Sequence, residues 1–344
     1  MTRRRPLTNI NFDDQPSLFD DLPGPTIHVH PAIKAHVESV RRQEALSREA
    51  EARFVDALPA GVPRRRALRF ISFGSGSSGN CSYIGDGTSG VLIDAGVDAD
   101  HVQRTLLANG ITMDSVDGIC LTHDHGDHVS CAYTLLRSNK HMRLFCTPKT
   151  LNGLLRRHNI SRRVKDYHQP IYKEFEFQIG ALTIVPFDVS HDGTDNCGFF
   201  VTGAGTTFAI ATDLGCITDR VDHYMRQAEN IVIEANYDEA MLRAGRYPVY
   251  LKSRIMAERG HLDNVVTGRF LAGILNDKLK RVFLCHLSHD NNTPQLALGA
   301  VRKALTEAGV ASIGDGAVSL EAERCRLQLA ALPRYEASPM YTLV

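Results

Sequence analysis

Within one six-residue window of GICLTHDHGDHVS, four side chains able to ligate a metal stand in an HxHxDH pattern: His123, His125, Asp127 and His128. A β-like run breaks directly into this HxHxDH pattern. In a loop that follows a strand, His123 and His125 can point one way while Asp127 and His128 turn toward a neighbouring position, so one segment can feed two adjacent cations. With 15 histidines among 344 residues, a polar surface turn would produce the four positions in only about one chain in a thousand, so metal chemistry is the reading carried forward. Further polar breaks close later apolar runs: His191 after LTIVPFDVS, Asp213 after TTFAIAT and His286 after RVFLC. Taken singly, each also suits a residue that merely ends a strand. Taken together, a carboxylate such as Asp213 can bridge two cations and imidazoles can complete each coordination sphere. A bridging hydroxide is then the expected nucleophile near neutral pH. Imidazole and carboxylate ligands without a thiolate suit zinc, manganese or iron, and the expected cofactor is two divalent ions, Zn2+ or Mn2+.

The elements that must position these residues are short β-like runs bounded by Gly or Asp and separated by helical stretches. They include LRFISFG, SYIGDG, GVLIDAG, GICLTH, RLFCTP, LTIVPFDVSH, GFFVTGAG, TTFAIATD, NIVIEAN and RVFLCHLS. Several carry their polar groups at the end, which suits a layered α/β protein with its site along one rim of its sheets. Residues 1–30 are polar and aperiodic and are expected to be a disordered tail. Residues 31–66 are expected to be a polar Ala-, Glu- and Arg-rich helix and linker broken by Pro59, Gly61 and Pro63. The hydrolase domain is then 67–344.

Composition bounds the partners. Hydrophobic residues make up 43%, enough for a buried core, and Lys+Arg 39 against Asp+Glu 39 leaves no net charge. Contact with a polyanion must therefore come from a local patch. Eight cysteines without a CxxC pair argue against a zinc ribbon or a stapled scaffold and for a reducing compartment. No apolar segment follows the N-terminal arginines and no run approaches membrane-spanning length, so the protein is expected to be soluble and cytoplasmic, with no membrane partner. Nothing in the pattern specifies an oligomeric state.

The ordered signature of Asp94, HxHxDH at His123–His128, His191, Asp213 and His286 resembles the metallo-β-lactamase superfamily. That resemblance implies a single-domain αββα sandwich of the α/β class. It assigns His123, His125 and His191 to one metal and Asp127, His128 and His286 to the other, with Asp213 bridging. Asp94, in VLIDAG, would orient the HxHxDH loop. Within the superfamily the chain is similar to the YycJ/WalJ group through ISFGSGSSGNCSYIG, VLIDAG, LTHDHGDH, IVIEANYD, LKSRI, GHLDN and CHLSHDNNTPQLA, spread over roughly residues 70 to 310. The group is associated with 5′ to 3′ exonuclease activity on DNA, so the resemblance implies phosphodiester hydrolysis in DNA repair. The interval from Asp213 to His286 is too short for the inserted domain of β-CASP nucleases such as RNase J. The interval from His191 to Asp213 leaves no room for the tRNA-binding arm of RNase Z.

Two further positions bear on mechanism. IVIEANYD ends a β-like run in Glu234, and GHLDN places His261 before the helix-like NVVTGRFLAGILND. They resemble the Glu and His that assist leaving-group protonation in RNase Z, and a protonated His held by a carboxylate suits that task. The plainer reading is a His that caps its helix and a Glu paired with an Arg. In FGSGSSGN, Ser75, Ser77, Ser78 and Asn80 among Gly74, Gly76 and Gly79 can bring donors to a phosphate, or can simply form a tight turn. The loop lacks the Lys of a P-loop. Polyanion contacts are expected from Arg64, Arg65 and Arg66, from Arg156 to Lys165, and from Lys252 with Arg254, unless these are ordinary solvated faces. Tyr167 and Tyr172 are nearby stacking candidates. In the tail, Gln15-Pro16-Ser17-Leu18-Phe19 resembles the peptide with which bacterial DNA-processing enzymes dock on the sliding clamp, with Gln15, Leu18 and Phe19 as its contacts.

The function expected from these readings is a metal-dependent hydrolase acting on DNA, with Asp127, Glu234 and His261 in the catalytic constellation. Two other classes compete: a hydrolase of small esters, thioesters or lactones on the same ligand set, and an inactive clamp-tethered binding module. The Glu234 and His261 pair argues against the first, because a good leaving group needs no acid. The complete ligand set argues against the second.

Overall fold

Strands that read as nearly continuous apolar runs need cover on both faces, and the structure supplies it twice. The computed structural model describes residues 67–316 and 325–343. The expected tail, the Gln15–Phe19 peptide, the 31–66 helix and linker, and Arg64, Arg65 and Arg66 lie outside the described residues.

The strands are β1 (Leu68–Gly74), β2 (Cys81–Gly85), β3 (Gly90–Ile93), β4 (Gly118–Cys120), β5 (Arg143–Cys146), β6 (His168–Pro170), β7 (Phe177–Ile179), β8 (Leu182–Asp188), β9 (Cys197–Gly203), β10 (Thr206–Ala211), β11 (Asn230–Glu234), β12 (Arg281–Cys285), β13 (Ile313–Asp315), β14 (Leu327–Ala331) and β15 (Tyr341–Leu343). They form a 7-stranded sheet in the order β15-β1-β2-β3-β4-β5-β6 and an 8-stranded sheet in the order β13-β14-β12-β11-β10-β9-β8-β7. All ten runs read from the sequence fall on strands. β6, β7 and β13–β15 are additions, mostly three-residue edges too short for a periodic signal.

Alternation along each strand explains the layering. On β10 and β11, Phe208, Ile210 and Val232 point into an inter-sheet core shared with Phe70 and Phe283. Ala209, Ala211, Ile231 and Ile233 face the other way, against Val221 and Leu271 of the helices Asp219–Met225 and Asn264–Gly273 and Val301 of the helix Pro294–Glu307. The first sheet repeats the plan: Phe70 and Ile84 face inward, whereas Ile71 and Leu92 pack under Val102, Leu135 and Leu154 of its own helices. The result is helix, sheet, sheet, helix, with three apolar layers between them. Among the described residues no helix is long and apolar enough to cross a membrane.

Topology then places the chemistry. β3, β4 and β5 are mutually parallel, as are β10, β11 and β12. β8 runs with β10 because both are antiparallel to β9. The loops that carry Asp94, the HxHxDH motif, His191, Asp213 and His286 therefore all leave the C-terminal ends of such strands, and Glu234 is the last residue of β11. Asp94 and His286 follow a strand by one residue and Asp213 by two, and all three take left-handed backbone angles, φ 61°, 54° and 54° in chain order Asp94, Asp213, His286. Non-glycine residues rarely accept that conformation, and its concentration at one rim marks where the fold holds strain.

Candidate metal centre

Donor atoms of His123, His125 and His191 lie together, as do those of Asp127, His128 and His286 and those of His123, His128 and Asp213, each group within 4.8 Å. The sheet rim thus gathers all seven predicted ligands, from loops up to 163 residues apart (His123 to His286). Asp213 sits between the two triads: its Oδ2 is 3.2 Å from His128 Nε2, and its Oδ1 is 3.7 Å from His191 Nε2 and 3.5 Å from His286 Nδ1.

Each imidazole is held from outside so that one nitrogen faces in. His128 Nδ1 is bound by Asp94 Oδ2 at 2.7 Å, and Asp94 Oδ1 accepts from the Thr122 amide at 2.8 Å. Asp94 thereby fixes both the ring and the start of the motif loop. His191 Nδ1 is held by the Gly260 carbonyl at 3.1 Å and His123 Nδ1 by Thr122 Oγ1 at 2.9 Å. His286 Nδ1 rests on Glu234 Oε1 at 2.7 Å. Gly96 lets the motif loop approach: a Cβ there would lie 1.6 Å from the Asp127 carbonyl oxygen.

The contacts themselves show that these residues suit cations. Three ring nitrogens converge, with His125 Nδ1 lying 3.0 Å from His123 Nε2 and 3.2 Å from His191 Nε2. Neutral imidazoles cannot supply a proton to every such contact, whereas a shared cation satisfies all three lone pairs. His286 Nε2 is buried and makes no hydrogen bond among the described residues, with Asp127 Oδ2 3.8 Å away. Burial holds His123 well below the usual histidine range, with the neighbouring His128 adding to it, which favours the neutral ligand form. Burial would also lower His128 and His286. Asp213 and its companion carboxylates outweigh it, holding His128 well above the ordinary value and pushing His286 up to about 10. The carboxylate side of the centre is a field built for positive charge.

Glu234 is fully buried, and its two oxygens are shared. Oε1 accepts from His261 Nδ1 at 2.8 Å as well as from His286, while Oε2 accepts the Leu214 and Leu262 amides at 2.8 and 3.1 Å. Among the described residues no arginine pairs with it, and the helix cap is Asp263, not His261. Burial alone would lower His261, but the Glu234 charge and hydrogen bond raise it above the ordinary value. His261 is 20% exposed and lines, with Ser77, His125, Asp127, His191, Asp213 and His286, a cavity of about 340 Å³.

A model of the family described as "Beta-lactamase superfamily domain" matches residues 90–286, an interval bounded by β3 and the last histidine of the cluster. Exodeoxyribonuclease YycJ of Bacillus anthracis is 31% identical over 248 residues, covering 70% of this chain and 90% of that protein. The chain belongs to the metallo-β-lactamase superfamily, in its YycJ/WalJ-like group. Exodeoxyribonuclease WalJ of Streptococcus pneumoniae is 29% identical over 231 residues, 67% of this chain and 85% of the relative. The superfamily fold is shared with two solved structures. The metallo-β-lactamase fold protein YhfI from Bacillus subtilis has TM-score 0.54 and 12% identity over 79% of this chain and 99% of that one. Zn(2+)-bound PqqB from Methylobacterium extorquens has TM-score 0.55 and 15% identity over 78% and 99%.

Around this superfamily centre the Gly/Ser loop divides its tasks. Ser75 Oγ accepts the His286 amide at 2.8 Å, and Asn80 Nδ2 lies 3.2 Å from Asp127 Oδ2 and 3.0 Å from His128 Nε2. Both are buried and brace the centre, so they are spent on protein groups. Ser77 and Ser78 are exposed, and Ser77 faces the cavity. Lys252 donates to the Arg243 and Gly245 carbonyls, and Arg254 grips Asp192 with contacts of 2.8 and 2.7 Å.

Sequence reasoning missed Asp124, Asp192 and Asn236. Asp192 Oδ1 is 3.4 Å from His125 Nε2, and Asn236 holds the His286 carbonyl at 2.7 Å. Asp124, between the first two motif histidines, is fully buried. Its carboxylate accepts from the Thr194 amide at 2.8 Å and Thr194 Oγ1 at 2.6 Å, tying the first ligand loop to the one that carries His191. The signal was an acid inside the motif itself. Asp124→Asn is expected to lower metal affinity or activity by about 10–100-fold, measured by competition with a chelating dye beside turnover; unchanged values for both would show that the tether is dispensable.

Proposed function

We propose that the protein is a metal-dependent exodeoxyribonuclease that removes nucleotides from DNA in the 5′ to 3′ direction during repair. The observation that carries this reading is His261 on the wall of the ligand-lined cavity, held at 2.8 Å by the buried Glu234. The printed names of the YycJ and WalJ relatives support it.

The two triads would hold two divalent ions bridged by Asp213, Zn2+ or Mn2+ by donor type, which supply Lewis acidity and an activated water to a phosphodiester. The protein's own part is positioning and proton supply. Glu234 holds His261 Nδ1, so Nε2 is the nitrogen left to face a substrate oxygen, and an alkoxide leaving from phosphorus needs that proton. A thiolate leaving from a thioester carries no comparable demand. Ser77, exposed and part of the cavity lining, would donate to a non-bridging phosphate oxygen.

The setting follows from sequence. All eight cysteines are free, which supports work in the reducing cytoplasm. Gln15–Phe19 would bury Leu18 and Phe19 in the sliding clamp and keep the enzyme on DNA.

Incubation with end-labelled single- and double-stranded DNA and RNA, with Mn2+ or Zn2+, tests the reading beside an Asp127→Ala control. Progressive shortening of DNA from the 5′ end, abolished in the control, is expected. Brisk thioesterase turnover without DNA cleavage would reverse the assignment.

A further inference from the structure

A second cavity, of about 500 Å³, opens between the helix Pro148–Arg157 and the 3₁₀ segment Arg162–Tyr167. Its lining contains Lys149, Arg156, Arg162 and Lys165, with Asn152, Leu155 and Thr194 completing the wall, and no carboxylate. The sequence explains how the cations come together. Lys149, Asn152 and Arg156 share one helical face, while Leu151 and Leu154 bury the other in the outer core. Arg162 and Lys165 are three apart in a 3₁₀ segment, where such residues eclipse, and Val164 anchors that segment in the same core.

By contrast, Arg157 is matched by Asp124, Lys173 by Asp188 and Asp195, and Arg254 by Asp192. Among the described residues, none of the four lining cations has a carboxylate within ion-pair distance. In a protein of zero net charge, four such cations around one cavity form a local field of one sign. The cavity wall is also fastened to the centre. Thr194 is bonded to the Asp124 carboxylate, and His158 Nε2, one residue past the helix, lies 2.6 Å from the Asp124 carbonyl oxygen.

We infer that this cavity binds the sugar-phosphate backbone of the DNA strand on which the metal centre acts, an inference that rests on the nuclease reading. The chemistry selects phosphates over bases. Leu155 is the one apolar side chain in the lining, and no aromatic ring is present. Tyr167 packs into the outer core and Tyr172, though exposed, is not part of the wall, so the stacking expected of both has no platform here. Recognition is therefore independent of base sequence and sensitive to salt.

The test uses the full chain with Arg156→Gln/Arg162→Gln, and the charge-reversed Glu pair as a second variant; both positions are exposed. Binding of a fluorescein-labelled single strand is followed by anisotropy from about 50 to 200 mM salt, in an Asp213→Asn background so that the strand stays intact. Loss of two phosphate contacts, at about 0.7 each, makes the slope of log K against log salt shallower by about 1.4. In the otherwise unaltered enzyme, KM for DNA rises roughly tenfold with kcat held, and the Glu pair exceeds the Gln pair. Hydrolysis of bis(p-nitrophenyl) phosphate, too small to span both sites, reads the centre alone and stays within twofold. Unchanged affinity and slope, with DNA still degraded normally, would overturn the inference and leave the nuclease reading standing. A parent chain that neither binds nor cuts DNA would remove both.

Discussion

Asp213→Asn is expected to reduce turnover by about 10³-fold or more and to lower bound metal below the parent's content. The Asn side chain keeps the size of the original and tolerates the left-handed backbone at φ 54°, so the change is mainly one of charge. That charge lies among the imidazoles of both triads, 3.2 Å from His128 and 3.7 Å from His191. Lewis-acid stabilisation by a metal centre is worth several kcal/mol. A loss of about 4 kcal/mol is about 10³ in rate. Metal content by mass spectrometry provides a readout independent of activity. The parent's Tm is expected to rise on adding Zn2+ or Mn2+, and the variant's to rise less, because a ligand stabilises only in proportion to its affinity for the folded state. Full metal content with full activity in the variant would exclude Asp213 as the bridging ligand.

His261→Ala is expected to slow DNA cleavage by about 10² to 10⁴-fold without loss of metal. The contrast with Glu234→Gln makes this prediction specific. Glu234 Oε1 holds both His261 and His286, so the Gln variant should lose metal affinity and turnover together, whereas the His261 variant should lose turnover alone. Leaving-group dependence separates proton donation from mere packing. An ester of p-nitrophenol departs without an acid, so His261→Ala should affect bis(p-nitrophenyl) phosphate far less than DNA. Added imidazole should restore part of the DNA activity. Equal losses on both substrates with no rescue would place His261 in a structural role.

The residues that act on the centre without ligating it were the least legible in the sequence. Asp124 was passed over because an acid in a polar loop is ordinarily solvated, and only the Thr194 turn, 70 residues on, buries it. Ser75 suits a phosphate contact by type and loop, yet its hydroxyl meets the His286 amide 211 residues away. Arg254 suits a polyanion contact by type and lines the cavity, but its guanidinium also grips Asp192, 62 residues away. In each case the residue type is suggestive and the partner is decided by a loop brought to the rim from elsewhere in the chain.

The sequence by itself determined the types and order of the metal ligands, the strands that end in them and the layered α/β class. Those are local properties: hydrophobic periodicity sets a strand, and a polar break sets where it stops. Tertiary structure alone decided that Glu234 serves two histidines, that His261 faces the cavity while Asp263 caps the helix, and that four lining cations are left without a carboxylate beside the centre. Net charge is a sum over the chain and pattern is a property of neighbours along it. The distances between carboxylates, imidazoles and guanidiniums are set by how two sheets stack, and no one-dimensional feature encodes that contact map.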